Sequence, residues 1–188
     1  MIKLSYGQGL DIYWHKGNAV ADEKQYLQMC AYKTGALARM SARLAANFAG
    51  AGSDETEALG KYAEAIGVAF QIQDDVLNLE GEEEKYGKEI GGDISEGKQT
   101  LITIHALKHL TPAKATRLQE ILSSHSKEER VIREAIALIK ETHALDYAKK
   151  FSRKLVQDAW TNVEGILKES KAKHELKAFA DYLVERKL

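Results

Sequence analysis

One proline in 188 residues, Pro112, leaves this chain few ways to stop a helix except glycine and polar caps. Ala, Leu, Lys and Glu are abundant, and the sequence is expected to be all-α, a single domain over residues 1–188 with length enough for a sizeable core. Lys16-Gly17-Asn18 should end a first helix over 2–15, and Asp22 should cap a second that runs toward Lys33. Lys33-Thr34-Gly35-Ala36-Leu37 should interrupt that helix before it resumes to Phe48 and stops at Gly50-Ala51-Gly52. Ser53 or Asp54 then starts a helix with the apolar stripe Leu59, Tyr62, Ala63, Ile66, Ala69 and Phe70. Further helices are expected over 100–110 and roughly over 112–123, 127–143, 145–170 and 174–187, with Trp160 and Phe179 in the core.

Charge and composition exclude several classes. The formal net charge is −1, so no bulk electrostatic argument favours nucleic acid or an anionic membrane. No stretch approaches the roughly 20 apolar residues of a membrane span, and Met1 to Leu10 lacks the apolar run of a signal peptide. The single Cys30 excludes an internal disulfide and fits a reducing, cytoplasmic setting.

The chemistry concentrates between Gly67 and Leu107. Asp74 and Asp75 are adjacent on an otherwise apolar helix, flanked by Phe70, Ile72, Val76 and Leu77. Gln71 and Asn78 lie three or four residues away, on the same broad face. Neighbouring carboxylates repel each other, resist burial, and here oppose the dipole near the helix C-terminal end. A hard divalent cation relieves all three problems, and Mg²⁺ takes oxygen ligands from few carboxylates plus phosphates. A solvated stripe on an amphipathic helix explains the spacing equally well. In the following loop, Lys85, Lys88 and Lys98 stand among Gly81, Gly87, Gly91, Gly92 and Gly97, which suits a diphosphate. The loop also carries seven acids, Glu80, Glu82, Glu83, Glu84, Glu89, Asp93 and Glu96, so an ordinary solvated loop stays open as well. Gly92 to Lys98 imitates the first seven positions of a P-loop. Gln99 stands where Ser or Thr is required, and no strand pattern precedes it, so a P-loop is rejected.

The set Phe70-Gln71-x-x-Asp74-Asp75-x-x-Asn78, Gly87-Lys88, Asp93-Ile94, Glu96-Gly97-Lys98, Thr100-Leu101 and His105-Ala106-Leu107 resembles the isoprenyl diphosphate synthases, geranylgeranyl and farnesyl type. Gly7-Gln8-Gly9-Leu10-Asp11 matches the family's G-Q-x-x-D segment, and Lys33-Thr34-Gly35-Ala36-Leu37 its K-T-G-x-L segment. Asn78 replaces the usual third Asp of the second aspartate-rich motif. The resemblance implies a helical bundle around a central cavity, walled in part by Gln8, Asp11 and Phe70. It implies Mg²⁺ on Asp74 and Asp75, supported by Gln71 and Asn78. It implies diphosphate on Lys33, Thr34, Gln71, Lys88 and Lys98, with Asp74, Asp75, Lys33 and Lys98 as the catalytic set. The implied reaction is head-to-tail condensation of isopentenyl diphosphate with an allylic diphosphate, giving geranylgeranyl or farnesyl diphosphate. His105 reads as a packed histidine. The basic ending Glu185-Arg186-Lys187-Leu188 is similar to family C-termini that can fold over the site.

The resemblance covers the C-terminal part of the family. Family members carry an earlier D-D-x-x-D motif on N-terminal helices, whereas Asp74-Asp75 is the sole Asp-Asp pair here. The expectation is that those helices are missing from this chain, with apolar faces exposed around Leu4, Leu10 and Trp14. A homo-oligomer, or a complex with a chain carrying the first motif, would complete the unit. The alternative is a non-catalytic regulatory or partner subunit of such a synthase.

Overall fold

A helical stretch that is apolar on nearly every side must lie inside the molecule, and the second half of α4 (Ser53–Glu80) does. From Ile66 to Leu79 it is buried almost continuously, including Gln73, Asp75 and Asn78. The computed structural model describes residues 2–17, 19–80 and 90–186, and among these every regular element is helical. Before α4 come α1 (Ile2–His15), α2 (Glu23–Cys30), a π-helical turn (Ala31–Gly35) and α3 (Ala36–Phe48). After it come α5 (Gly92–Ser95), α6 (Leu101–His109), α7 (Pro112–Ser124), α8 (Glu129–Lys140), α9 (Ala144–Thr161) and α10 (Lys171–Glu185). The π-helical turn, α3, α9 and α10 all pack on α4. One core cluster gathers Trp14, Tyr26, Ile72, Val76, Leu101 and Ile102, and a second gathers Tyr62, Ile66, Trp160 and Val163. Among the described residues no helix is long and apolar enough to cross a membrane.

Local signals explain most boundaries. Asp22 and Gln25 form a capping box at the start of α2, and Thr100 and Thr103 form another at the start of α6. Pro112 opens α7 at a position whose N–H would go unpaired in any case. Gly50, at φ +78, ends α3.

Four expectations are corrected. The interruption at Lys33 to Leu37 is a π-helical turn inside one continuous helical path, since Cys30, Ala31, Gly35 and Ala36 all keep right-handed helical angles. The helix expected over 145–170 ends at Thr161, where Thr161, Asn162 and Gly165 are poor helix formers and the Asn162 amide bonds back to the Asp158 carbonyl. Phe179 is 56% exposed, because α10 packs through Leu176, Ala180, Leu183 and Val184 and residue 179 lies off that stripe. Trp14 is buried in the first core cluster beside Ala21, and the exposed apolar residues of α1 are instead Ile2, Tyr6, Ile12 and Tyr13.

Glycine sets the spacing around the π-helical turn. A Cβ on Gly7 of α1 would stand 2.5 Å from the Lys33 nitrogen, and one on Gly67 of α4 would stand 2.9 Å from Gly35 Cα. The obstacles are backbone atoms, which cannot swing aside, so only glycine lets the three segments meet this closely. Gly7→Ala is therefore expected to cost about 1–3 kcal/mol of stability by forced separation of α1 from the turn. Urea denaturation checks it, and a midpoint equal to wild type would contradict the close approach.

Candidate active site

Asp75 lies on the inner side of α4, and two neighbours hold its carboxylate. The Tyr26 hydroxyl, from α2, donates to Oδ2 at 2.6 Å, and Gln71 Nε2, one turn back on α4, donates to Oδ1 at 3.1 Å. The Thr34 hydroxyl donates in turn to Gln71 Oε1 at 3.3 Å. The π-helical turn thus reaches α4 through Thr34, and reaches α1 through Lys33, whose Nζ is 2.6 Å from Asp11 Oδ2. One turn further along α4 the Asn78 side-chain oxygen accepts the Asp93 N–H at 3.0 Å, and its carbonyl accepts the Gly91 N–H at 2.8 Å. These bonds seat α5, whose Asp93 Oδ1 is 2.6 Å from Lys98 Nζ; Glu96 is a second partner of Lys98 at 2.9 Å. Gln99 ties this segment to the α1–α2 connection. It accepts the Ala21 N–H at 2.6 Å and donates to the carbonyls of Ala19 and Trp14 at 2.7 and 3.3 Å. A cavity of about 20 Å³, room for roughly one water, lies between Asp11, Tyr26, Met29, Lys33, Gln71, Asp75, Lys98, Gln99 and Thr100.

Asp74 points elsewhere. Adjacent helical side chains diverge by about 100°, so the acidic pair splits: Asp75 faces the cavity, while Asp74, 32% exposed, has Oδ1 3.5 Å from Arg186 Nη2. Among the sequence candidates, Lys33, Gln71, Asp75, Lys98 and Asp11 line one cavity. Thr34 touches it through Gln71. Asn78 uses its side-chain oxygen to seat α5. Phe70 lies under the Arg186 guanidinium, and Gln8 is exposed on α1, off the cavity. Lys88 lies outside the described residues. His105 is half-buried and stacked between His109 and Tyr147, as a packing histidine should be. Tyr26, Asp93 and Gln99 had no assigned role. Tyr26 precedes Lys33 by seven residues, two helical turns, which places both on one face and was a usable signal.

The site is over-supplied with negative charge. Burial first, and then the Asp93 carboxylate, push Asp75 up to about 7, against the hydrogen bonds from Tyr26 and Gln71 and the charge of Lys98. Burial also raises Asp93, opposed by Lys98. Burial works against the charge on Lys98, yet Asp93 and Glu96 outweigh it and hold the ammonium above its usual range. Among the described residues, Lys33 pairs with Asp11, Lys98 with Asp93 and Glu96, and Arg186 with Asp74, and Asp75 is buried beside them. Among the described residues no three His, Cys, Asp or Glu side chains are arranged to hold a metal by themselves. The donors are all hard oxygens in acidic excess, which fits a divalent cation that draws its remaining ligands from a phosphate and water.

These features define a class. The model of the polyprenyl synthetase family matches residues 1–139, and the chain belongs to that family. Among its relatives, the short chain isoprenyl diphosphate synthase of Methanocaldococcus jannaschii is 43% identical over 148 residues, 79% of this chain and 44% of that protein. The one from Methanothermobacter thermautotrophicus is 36% identical over 185 residues, 98% of this chain and 56% of its own length. The crystal structure of geranylgeranyl pyrophosphate synthetase from Pyrococcus horikoshii superposes with a TM-score of 0.88 at 33% identity, covering 98% of this chain and 55% of that one. A geranylgeranyl pyrophosphate synthase from Corynebacterium glutamicum, complexed with isoprenyl diphosphate and magnesium, gives 0.90 at 26% identity, covering 98% and 52%. The chain spans about half the length of these relatives.

The folded protein keeps a proton on Asp75 that the unfolded chain releases near pH 4. Between about pH 4 and 7 the folded state binds more protons than the unfolded state, so stability falls as pH rises through that window. In protein freed of metal by chelator, the fall is expected to be on the order of 4 kcal/mol. Asp75→Asn should make it shallower and raise stability at pH 8. Urea unfolding at several pH values checks both; an unchanged slope in the variant would refute the buried-charge account.

Proposed function

We propose that residues 1–188 form the C-terminal part of one isoprenoid synthase domain that condenses isopentenyl diphosphate with an allylic diphosphate to give geranylgeranyl or farnesyl diphosphate. The observation that carries this reading is the convergence of Lys33, Gln71, Asp75 and Lys98, drawn from three separate motifs, on one cavity beside Asp74. Mg²⁺, when bound on Asp74 with Asp75, Gln71 and Asn78 behind it, would neutralise the diphosphate and ease its departure. Thr34 and Gln71 orient the diphosphate, and Lys33, Lys88 and Lys98 balance its growing charge as the allylic C–O bond breaks. The double bond of isopentenyl diphosphate then attacks the allylic cation, and a proton is lost. Tyr26 keeps Asp75 in place throughout. Catalysis on this account is positioning and charge stabilisation. The free, buried Cys30 supports a reducing, cytoplasmic setting.

The chain works, on this reading, with a complementary polypeptide that carries a first aspartate-rich motif, or within an oligomer. Ile2, Tyr6 and Tyr13 on α1, and Leu37, Met40, Leu44 and Phe48 on α3, are exposed apolar groups that support a covering partner.

Mg²⁺ is expected to bind weakly alone and more tightly with pyrophosphate, and Asp74→Ala should abolish both effects in calorimetric titration. With the complementary half supplied, Lys98→Ala should lower turnover by ~10²-fold, measured on folded protein, since unpairing the largely buried Asp93 also costs stability. Prenyl product made by the isolated monomer would overturn the need for a partner, and unchanged turnover in both Lys33→Ala and Lys98→Ala would overturn the diphosphate placement.

A further inference from the structure

Arg186, which ends α10, is held by one face of α4. Its guanidinium lies 4.3 Å from the centroid of the Phe70 ring. Its Nη2 is 3.5 Å from Asp74 Oδ1, and its carbonyl accepts from Gln73 Nε2 at 3.1 Å. Phe70, Gln73 and Asp74 are spaced i, i+3, i+4, so a ring, an amide and a carboxylate on adjacent turns grip one residue. The contact is incomplete. The side chain is only 16% exposed, yet Nε and Nη2 are shut away from water without a hydrogen-bond partner, and so is Gln73 Oε1. The gap to Asp74 is an ion pair too long for a hydrogen bond. Stacking and charge attraction favour the contact, whereas buried unpaired donors oppose it. Such a balance is readily exchanged for a better counter-ion.

We infer that Arg186 is a resident cation on Asp74 that a divalent metal must displace, so that metal binding and release of the C-terminal end of α10 are one coupled step. The inference rests on Asp74 as a metal ligand, as proposed above. A divalent metal on either Asp74 oxygen draws off the carboxylate charge that attracts the guanidinium, and two cations on one carboxylate repel each other, so metal binding weakens the hold on Arg186. By linkage, whatever holds Arg186 on Asp74 weakens metal binding by the same factor by which metal weakens the hold on Arg186. Phe70 gives the displaced guanidinium no compensating negative charge, and the Gln73 bond is to the backbone of the same residue. Release therefore frees the last turn of α10, where the Arg186 N–H bonds to the Tyr182 carbonyl.

The test uses the 188-residue chain and Mn²⁺ as probe, followed by electron paramagnetic resonance, together with amide exchange over residues 182–186. Arg186→Gln is expected to bind Mn²⁺ about tenfold more tightly than wild type, and Arg186→Lys, which keeps the charge and loses the planar stack, should fall between them. Mn²⁺ should speed amide exchange at 182–186 in wild type and leave it unchanged in Arg186→Gln. Equal Mn²⁺ affinity in wild type and Arg186→Gln, or slower exchange with Mn²⁺, overturns the displacement while leaving the metal assignment intact. No Mn²⁺ binding by either protein overturns the metal assignment and the displacement with it.

Discussion

Carrying polar groups through a dry core is the constraint on which this structure depends. The central helix α4 is buried on almost all sides over the stretch that holds Gln73, Asp75 and Asn78. Each of these polar groups has a designated partner: Arg186 for Gln73, Tyr26 and Gln71 for Asp75, Asp93 for Asn78. The partners come from α10, α2 and α5, elements far apart in sequence. Satisfying the polar groups of α4 therefore fixes where the other helices end, because an unpaired buried group would cost about 1–3 kcal/mol. The first core cluster, with Tyr26, Ile72 and Leu101, packs around bonds already required by the charges.

Glycine makes the same constraint achievable on the other side of α4. Thr34 reaches Gln71, and Lys33 reaches Asp11, only because α1, the π-helical turn and α4 approach to backbone contact at Gly7, Gly35 and Gly67. The π-helical turn fits one extra residue into a helix that would otherwise run straight from α2 into α3. Such a turn shifts the phase of the residues that follow it, which allows Lys33 and Thr34 to face two different helices. Close packing is thus concentrated where the diphosphate groups are proposed to sit.

The all-helical fold was legible in the sequence, because a nearly proline-free chain with caps at Asp22 and Thr111 and stops at Gly17 and Gly50 has few other options. The grouping of Lys33, Gln71, Asp75 and Lys98 was implied by the resemblance to the family and not by spacing alone, and their present partners were not legible. Asp11, Asp93 and Tyr26 lie 22, 5 and 49 residues from the groups they hold, and only Asp93 is near in sequence. The divergence of Asp74 from Asp75 follows from helix geometry, yet which of the two turns inward depends on where α2 and α10 pack. Phe179 misled because an aromatic residue in an amphipathic helix looks like core until the neighbouring stripe of Leu176, Ala180 and Val184 is seen to do the packing.

Each cation described at the site already sits on a carboxylate: Lys33 on Asp11, Lys98 on Asp93 and Glu96, Arg186 on Asp74. This pairing explains how a pocket rich in charge stays folded, since an isolated ion in this setting would be expelled or neutralised. It also bears on how a diphosphate could enter. A diphosphate offers the lysines stronger acceptors than the carboxylates they now hold, and a divalent cation offers those carboxylates a stronger partner than the lysines. Cation and anion arriving together thus swap partners on both sides at once, and neither leaves a buried charge unpaired. Either one alone would strand half of the pairs, so under the proposed function joint binding is favoured over separate binding.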